Sequence, residues 1–291
     1  LPRLTRQLRK LKPDATLSSM TGTNLLTTAA HSLAGRPGRL LLREAVSMQN
    51  VRSPLSAWLM RKLYLKADGL IAVSAGVADD LKFWGMQVDQ VHVIPNPLDA
   101  ERIRRLATSR TQCGVDPPYI ISVGRLIEQK DHATLLRAYA MSRLRDSHRL
   151  VLVGDGGQRA ALEALARKLD IGERVVFTGA LVNPFPLVSR ASLFVLSSRW
   201  EGYPNALLEA LALDVPVVAT DCPAGPSEML KHGRHGRLVA VGDARALADS
   251  MEQELLEPSA GRESVVSEHA PDIVAARYLE LLLPSTPDDA Q

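Results

Sequence analysis

Only 2 of the 291 residues are cysteine, Cys113 and Cys222. Their separation matches no metal-ligand spacing, and one pair cannot make the framework of a disulfide-stapled secreted domain. A reducing cytoplasm fits this usage. Charge of one sign is also scarce: 35 Lys and Arg against 32 Asp and Glu leave a formal net charge of +3. Charge alone gives no reason to expect a nucleic acid partner. No apolar run nears the roughly 18 residues needed to cross a bilayer, and no signal peptide is legible at the start. No Asp-x-Asp pair occurs. What is present is ordinary for a folded chain: 46% hydrophobic and 23% charged residues, at a length that suits about two domains.

The most informative stretch is Val195 to Pro226. Leu193 to Leu196 predicts a buried strand. A polar turn containing Gly202 and Pro204 follows, then a helix-forming run from Asn205 to Leu213 and a β-rich run from Val215 to Thr220. This is a strand–loop–helix–strand unit of a parallel α/β sheet. Its loop lies beyond the carboxyl end of a strand, where open α/β sheets bind ligands. The helix after it would aim unpaired N–H groups and the positive end of its dipole at an anion. Two carboxylates mark the unit. Glu201 lies in the loop. Glu209 lies more than one turn inside the helix, among Leu207, Leu208, Ala210 and Leu211, where a charge is costly without a partner. One reading gives Glu209 a pair of hydroxyl groups, as a ribose offers. The plainer one is a solvated side chain on an amphipathic helix.

Glu201-Gly202-Tyr203-Pro204-Asn205 followed by Glu209 resembles the signature of the retaining glycosyltransferases of family 4. That signature is two glutamates separated by seven residues, with Gly, Pro and Asn after the first. The run Asp221 to Glu228 is similar to members that extend cell-surface glycans. The resemblance is strong from about Tyr119 to Gly242 and weaker before it. It implies an α/β GT-B fold, two Rossmann-like domains facing a cleft. The expected bounds are an acceptor-side domain over 1–98 and a nucleotide-sugar-binding domain over 99–271. A C-terminal helix and tail over 272–291 is expected to pack back on the first domain.

Before the motif, four short runs predict strands of βαβ units: Ala15 to Ser18, Arg39 to Arg43, Leu70 to Val73 and Val91 to Ile94. Helices are predicted from Asn24 to Ala34, from Pro54 to Lys66 with Ser53 as N-cap, and from Ala75 to Trp84. A complete doubly wound domain carries about six strands, so this domain reads as incomplete at its start. Many relatives place a histidine just after the second of these strands. Here the sequence is Arg43-Glu44-Ala45: Glu44 matches a neighbouring acid of the family pattern, and Ala45 stands at the histidine position. His31 or Asn50 could substitute, and both read more simply as structural or solvated. The opening segment sets Leu1, Leu4, Leu8 and Leu11 among Arg3, Arg6, Arg9 and Lys10. The spacing predicts a helix packed on its own sheet. The alternative is contact with an anionic membrane surface that carries a lipid-linked acceptor.

After a charged connector, Ala100 to Asp116, the strand Tyr119 to Val123 leads into Gly124-Arg125-Leu126 and Glu128-Gln129-Lys130-Asp131. A helix is predicted from His132 to about Leu144. Arg125 can grip a phosphate through two N–H groups, and Lys130 offers a point charge. The segment resembles the family's Gly-Arg…Lys element. That implies that both cations hold the donor diphosphate, with Gly124 letting the backbone come close. The strand Leu150 to Val153 ends in Gly154-Asp155-Gly156-Gly157, and a helix follows from Gln158 to Leu169. The glycine spacing and the acidic residue of a dinucleotide site are absent, so Gly154 reads as part of a tight turn lining the nucleotide site. Further strands are expected at Val175 to Phe177 and Arg237 to Val239. Further helices are expected at Pro184 to Ser189, from Pro226 to His232, at Ala244 to Leu256 and at Asp272 to Leu283. Asp214 replaces a family glycine and tolerates a left-handed turn. Pro284 to Gln291 reads as disordered.

The resemblance implies transfer of a hexose or N-acetylhexosamine from a nucleotide sugar to a glycan or lipid-linked saccharide, with retention of configuration. It leans towards a UDP-sugar. The expected catalytic residues are Glu201, Arg125 and Lys130. The expected donor contacts add Gly124, Gly154, Gly202, Asn205, Ala206, Leu207 and Glu209. No cofactor, metal or nucleic acid is expected. The expected location is the cytoplasm, with peripheral contact at the inner face of the membrane as the sharper alternative. Rival readings are a truncated relative that binds nucleotide sugar without turnover, and an epimerase on the same scaffold.

Overall fold

The structure, a computed structural model, describes residues 1–47, 54–110 and 114–283. The chain forms two compact units, Leu1–Pro97 with Pro271–Gln291, and Leu98–Ala270. Asn50, Ser53, Cys113 and the segment 284–291 lie outside the described residues.

In the first unit the order is α1 (Pro2–Leu11), β1 (Ala15–Ser19), α2 (Thr21–Leu33), β2 (Arg39–Glu44), α3 (Pro54–Tyr64), β3 (Gly69–Ala72), α4 (Ala75–Phe83) and β4 (Val91–Val93). The four strands form a parallel sheet in the order β1-β2-β3-β4. Leu40, Leu41 and Leu42 of β2 and Leu70, Ile71 and Ala72 of β3 are buried. Such continuous apolar runs belong to strands covered on both faces. The helix Pro271–Leu282 belongs to this unit. Its Val274 joins Leu41, Ile71 and Ile94 in one apolar cluster, and Arg43 Nε donates to Tyr278 Oη at 2.9 Å. α1 packs on α2, burying Thr5 and Leu8. Arg3, Arg6, Lys10 and Leu11 stay exposed.

Glu44 ends β2 as a buried node. It accepts hydrogen bonds from Tyr64 Oη, from Asn24 Nδ2 at 2.9 Å and from Thr21 Oγ1 at 3.0 Å. Burial raises its pKa above the usual carboxylate range. These bonds join α2, β2 and α3, so Glu44 serves the fold. His31 is buried, with Nε2 3.1 Å from Pro37 O, and is structural too.

The second unit runs α5 (Ala100–Ala107), β5 (Tyr119–Val123), α6 (His132–Met141), α7 (Leu144–Ser147), β6 (Arg149–Val153), α8 (Arg159–Lys168), β7 (Val175–Gly179), α9 (Phe185–Val188), β8 (Leu193–Leu196), α10 (Asn205–Ala212), β9 (Val217–Thr220), α11 (Pro226–Met229), β10 (Arg237–Val239), α12 (Ala244–Leu256) and α13 (Arg262–Ser267). Its parallel sheet has the order β10-β9-β8-β5-β6-β7. Every residue of β8 and β9 is buried. The core gathers Leu135, Leu136, Leu150, Leu152, Leu193, Val195, Leu247 and Met251. Tyr119 and Tyr139 are buried whole, and each hydroxyl donates to a carbonyl at 2.6 Å, Leu187 O and His148 O. That satisfies the polar tip of a large core ring.

Several boundaries differ from the sequence expectations. The connector 100–116 contains α5, capped by Asp99, whose side chain accepts from Arg102 N at 2.9 Å. α13 was not foreseen at all. β9 begins at Val217, because Pro216 has no N–H for the ladder; its carbonyl still accepts from Phe194 N at 2.9 Å. α11 stops at Met229, and Lys231 and His232 then turn left-handed at φ 48 and 57. Asp214 is left-handed at φ 56, and its carboxylate accepts from Arg262 Nε at 2.8 Å.

Candidate functional site

Sheet order marks one place in the second unit as the candidate site. The chain builds β5, β6 and β7 outward in one direction, then returns to lay β8, β9 and β10 on the other side of β5. The loops leaving β5 and β8 therefore part in opposite directions. A crevice at such a switch point is the usual ligand site of an open parallel sheet. Both stretches singled out in the sequence leave from there: Gly124 to Asp131 after β5, and Ser197 to Pro204 after β8.

The two loops are tied to each other. Arg199 N donates to Gln129 O at 2.8 Å, Gln129 Nε2 to Trp200 O at 2.9 Å, and Ser197 Oγ to Lys130 O at 2.8 Å. Asp131 is left-handed at φ 44 and caps α6, accepting from Thr134 N at 3.3 Å and Thr134 Oγ1 at 2.9 Å. Its carboxylate also pairs with Arg199 Nε at 3.1 Å. These contacts aim Lys130 across the gap. Lys130 Nζ reaches Glu201 Oε1 at 2.5 Å, with Ser198 Oγ donating to the same oxygen at 2.6 Å. Thr220 Oγ1, at the end of β9, donates to Ser198 O at 2.6 Å. Glu201 is only 6% exposed.

The glycines act through close approach. Lys130 passes Gly124 so closely that a β-carbon there would lie 3.4 Å from Lys130 Cδ and Cε. Gly154, at φ +139, lies against Gly124: a β-carbon on it would stand 2.0 Å from Gly124 O. Leu126 N to Asp155 O at 2.9 Å and Gln158 N to Leu126 O at 3.0 Å complete the contact. Arg125 is exposed and makes no side-chain hydrogen bond or ion pair among the described residues.

α10 starts at Asn205 with no side-chain cap. Leu207 N and Leu208 N both donate to Pro204 O, at 3.0 and 3.3 Å, so the Leu207 N–H expected at the donor is turned onto the loop instead. Gly202 is buried in the loop before it. Glu209 is half-buried and pairs with no described residue. Desolvation pushes its pKa up to about 7. A carboxylate in that setting is an acceptor short of donors.

Gly124, Lys130, Glu201 and Gly154 thus meet at one point, and α10 carries Glu209 from the same loop. Reasoning from sequence missed Ser198, Gln129 and Thr220, which hold the pair in place. Their only sequence signal is position: Ser198 lies in the polar turn after an apolar strand, and Gln129 in the polar run before α6. Among the described residues no group of three or more His, Cys, Asp or Glu is placed to hold a metal ion. No helix among them is long and apolar enough to cross a membrane.

A model described as glycosyl transferases group 1 matches residues 117–257, and one described as glycosyltransferase family 4 matches residues 1–102. The chain is 31% identical over 220 residues to the N-acetylgalactosamine-N,N'-diacetylbacillosaminyl-diphospho-undecaprenol 4-alpha-N-acetylgalactosaminyltransferase of Campylobacter jejuni, covering 73% of this chain and 59% of that protein. It is 30% identical over 226 residues to the lipopolysaccharide core biosynthesis glycosyltransferase LpsE of Rhizobium meliloti, covering 75% of this chain and 65% of that protein. It spans less than two thirds of either relative. The lipopolysaccharide outer core galactosyltransferase WaaB, in apo form, superposes with a TM-score of 0.78 at 20% identity, over 97% of this chain and 78% of WaaB. Anabaena HepE in complex with UDP and glucose superposes with a TM-score of 0.79 at 20% identity, over 98% of this chain and 82% of HepE. With both family models matched and both sheets parallel, the chain belongs to the family 4 glycosyltransferases of the GT-B fold.

Proposed function

We propose that this chain takes part in moving a hexose or N-acetylhexosamine from a UDP-sugar to a hydroxyl of a glycan or lipid-linked saccharide, with retention of configuration and without a metal. The observation that carries the reading is the Lys130–Glu201 pair at the switch point, 2.5 Å apart and nearly buried. Arg125 and Lys130 neutralise the charge that grows on the diphosphate as the sugar leaves, where fixed charges lower a barrier most. The start of α10 adds its dipole. Glu209 accepts from the ribose hydroxyls. Glu201 accepts from a hydroxyl of the transferred sugar, which fixes its orientation. The UDP and glucose bound to HepE and the diphospho-undecaprenol-linked acceptor named for the Campylobacter enzyme support the donor and acceptor classes. Exposed Arg3, Arg6, Lys10 and Leu11 on α1 support contact with an anionic membrane at its cytoplasmic face.

The test is incubation with UDP-hexoses and UDP-N-acetylhexosamines plus a lipid-linked saccharide, with the product anomer read by NMR. The expected result is a product that keeps the donor's anomeric configuration, formed in step with UDP release. An altered sugar nucleotide formed without acceptor would replace this reading with epimerisation.

Glu209 gives the reading a pH signature. Ribose hydroxyls bond best to the ionised carboxylate, and the free protein holds that group at about 7. Donor affinity is therefore lost as pH falls through 7, by about tenfold between pH 8 and pH 6. UDP-glucose is the right probe, because its diphosphate diester takes up no proton in this range. The Glu209→Gln variant is expected to bind more weakly and without this slope. Folding carries the opposite sign. A pKa raised from 4.5 to about 7 in the native state favours folding below pH 4.5, and that contribution is lost as pH rises through 7.

A further inference from the structure

Tyr203 lies two residues after Glu201 and is 8% exposed; His269, 66 residues further on, is 3% exposed. Their rings are 5.5 Å apart between centroids, and Tyr203 Oη is hydrogen-bonded to His269 Nε2. His269 Nδ1 is 2.6 Å from Val265 O. A carbonyl only accepts, so Nδ1 carries the ring proton. With the ring neutral, Nε2 is the acceptor and the Tyr203 hydroxyl donates to it. Burial with the nearby Glu228 and Glu268 carboxylates raises the Tyr203 pKa, keeping that proton in place.

The same residue is fixed by its backbone. His269 O accepts from Leu98 N at 2.7 Å. The chain enters the second unit at Leu98 and leaves it after Ala270. His269 thus ties both connections to α13 and to the loop bearing Glu201. Gly225 closes on the loop from another direction. At φ +96, a β-carbon on it would stand 2.6 Å from Pro204 Cδ and 3.2 Å from Gly202 O. A hydroxyl on an imidazole adds direction to the Tyr203–His269 contact.

We infer that His269 is a positioning residue for the donor loop, acting through the hydroxyl of Tyr203. The inference rests on the reading of that loop as part of a nucleotide-sugar site. Without the bond, Glu201 keeps its partners but the loop samples more conformations, and donor affinity falls.

The test compares the parent chain with His269→Phe, His269→Gln and the double variant Tyr203→Phe/His269→Phe. Amide hydrogen exchange over residues 198–208 is followed with and without UDP, beside calorimetric UDP affinity and the melting temperature. His269→Phe strands the Tyr203 hydroxyl and is expected to speed loop exchange and weaken UDP binding about tenfold each. His269→Gln, whose side-chain carbonyl can accept the same hydroxyl, is expected to recover both to within about threefold. The double variant removes the stranded hydroxyl and is expected to melt above His269→Phe, while its loop still exchanges about tenfold faster than the parent's. Parental loop exchange in the double variant would overturn the proposal, leaving a packing contact only. A parent loop that UDP does not protect would overturn the donor reading beneath it. The two failures differ, because exchange without UDP reports the loop's own opening and needs no ligand.

Discussion

Lys130→Ala is expected to lower kcat for sugar transfer by about 10²–10³-fold, the loss seen when one preorganised contact to developing charge is removed. Lys130 has two tasks in this geometry. Under the proposed function it meets the charge that grows on the diphosphate, and it is the cation paired with Glu201. Its removal leaves Glu201 to Ser198 in a setting that is 6% exposed. Folding stability should fall as well, by less than the about 3–5 kcal/mol typical of breaking a fully buried pair, since the Lys130 side chain is 17% exposed. Lys130→Arg should not restore activity. The guanidinium is a broad planar fork, and the lysine stem already passes Gly124 at contact distance. Arg125→Ala separates the two tasks. That side chain is exposed and holds nothing among the described residues, so transfer should drop while the denaturation midpoint stays. Turnover and denaturant titrations of the three variants check this. Parental turnover in Lys130→Ala would refute the role given to Lys130.

Gly154→Ala is expected to cost about 3–5 kcal/mol of stability, combining left-handed strain with an unavoidable clash. Its φ is +139, a conformation that side chains rarely adopt, and the new methyl would lie 2.0 Å from Gly124 O and 2.8 Å from Gly124 C. Both obstacles are backbone at the end of β5, so no rotamer change relieves them. The loop from Gly124 to Leu126 must move, and it carries Arg125 and leads to Lys130. Alanine at Gly157, where nothing lies within 4 Å of the added carbon, should stay within about 1 kcal/mol of the parent. Melting curves of the two variants side by side make the comparison. A parental melting temperature for Gly154→Ala would mean that the β5 and β6 turns do not meet as described.

Both sheets were legible because parallel strands are buried on both faces and read as short apolar runs, as β2, β3, β8 and β9 do. The candidate site stood out in the sequence where a costly residue did: Glu209 among leucines, and glycines at strand ends. Three kinds of feature were hidden. α5 is short and charged, with Ile103 its only buried residue, so it carries too few apolar positions to show a period. Helix ends moved where backbone chemistry, not periodicity, decided them, as at Pro216 and at the left-handed Lys231 and His232. Long-range polar contacts left no local trace. Glu44 finds Asn24 and Tyr64 20 residues away on either side, and Tyr203 finds His269 66 residues on.

The central claim is that the second unit holds a nucleotide-sugar donor through α10 and the loops after β5 and β8. Calorimetric titration of UDP and GDP, without added metal, into this chain and its Glu209→Ala variant tests it most directly. The account predicts that UDP binds the parent chain, and that the variant loses about tenfold or more of that affinity because two hydroxyl contacts go with the carboxylate. A parent chain that binds neither nucleotide, or a variant that binds as tightly as the parent, would contradict it.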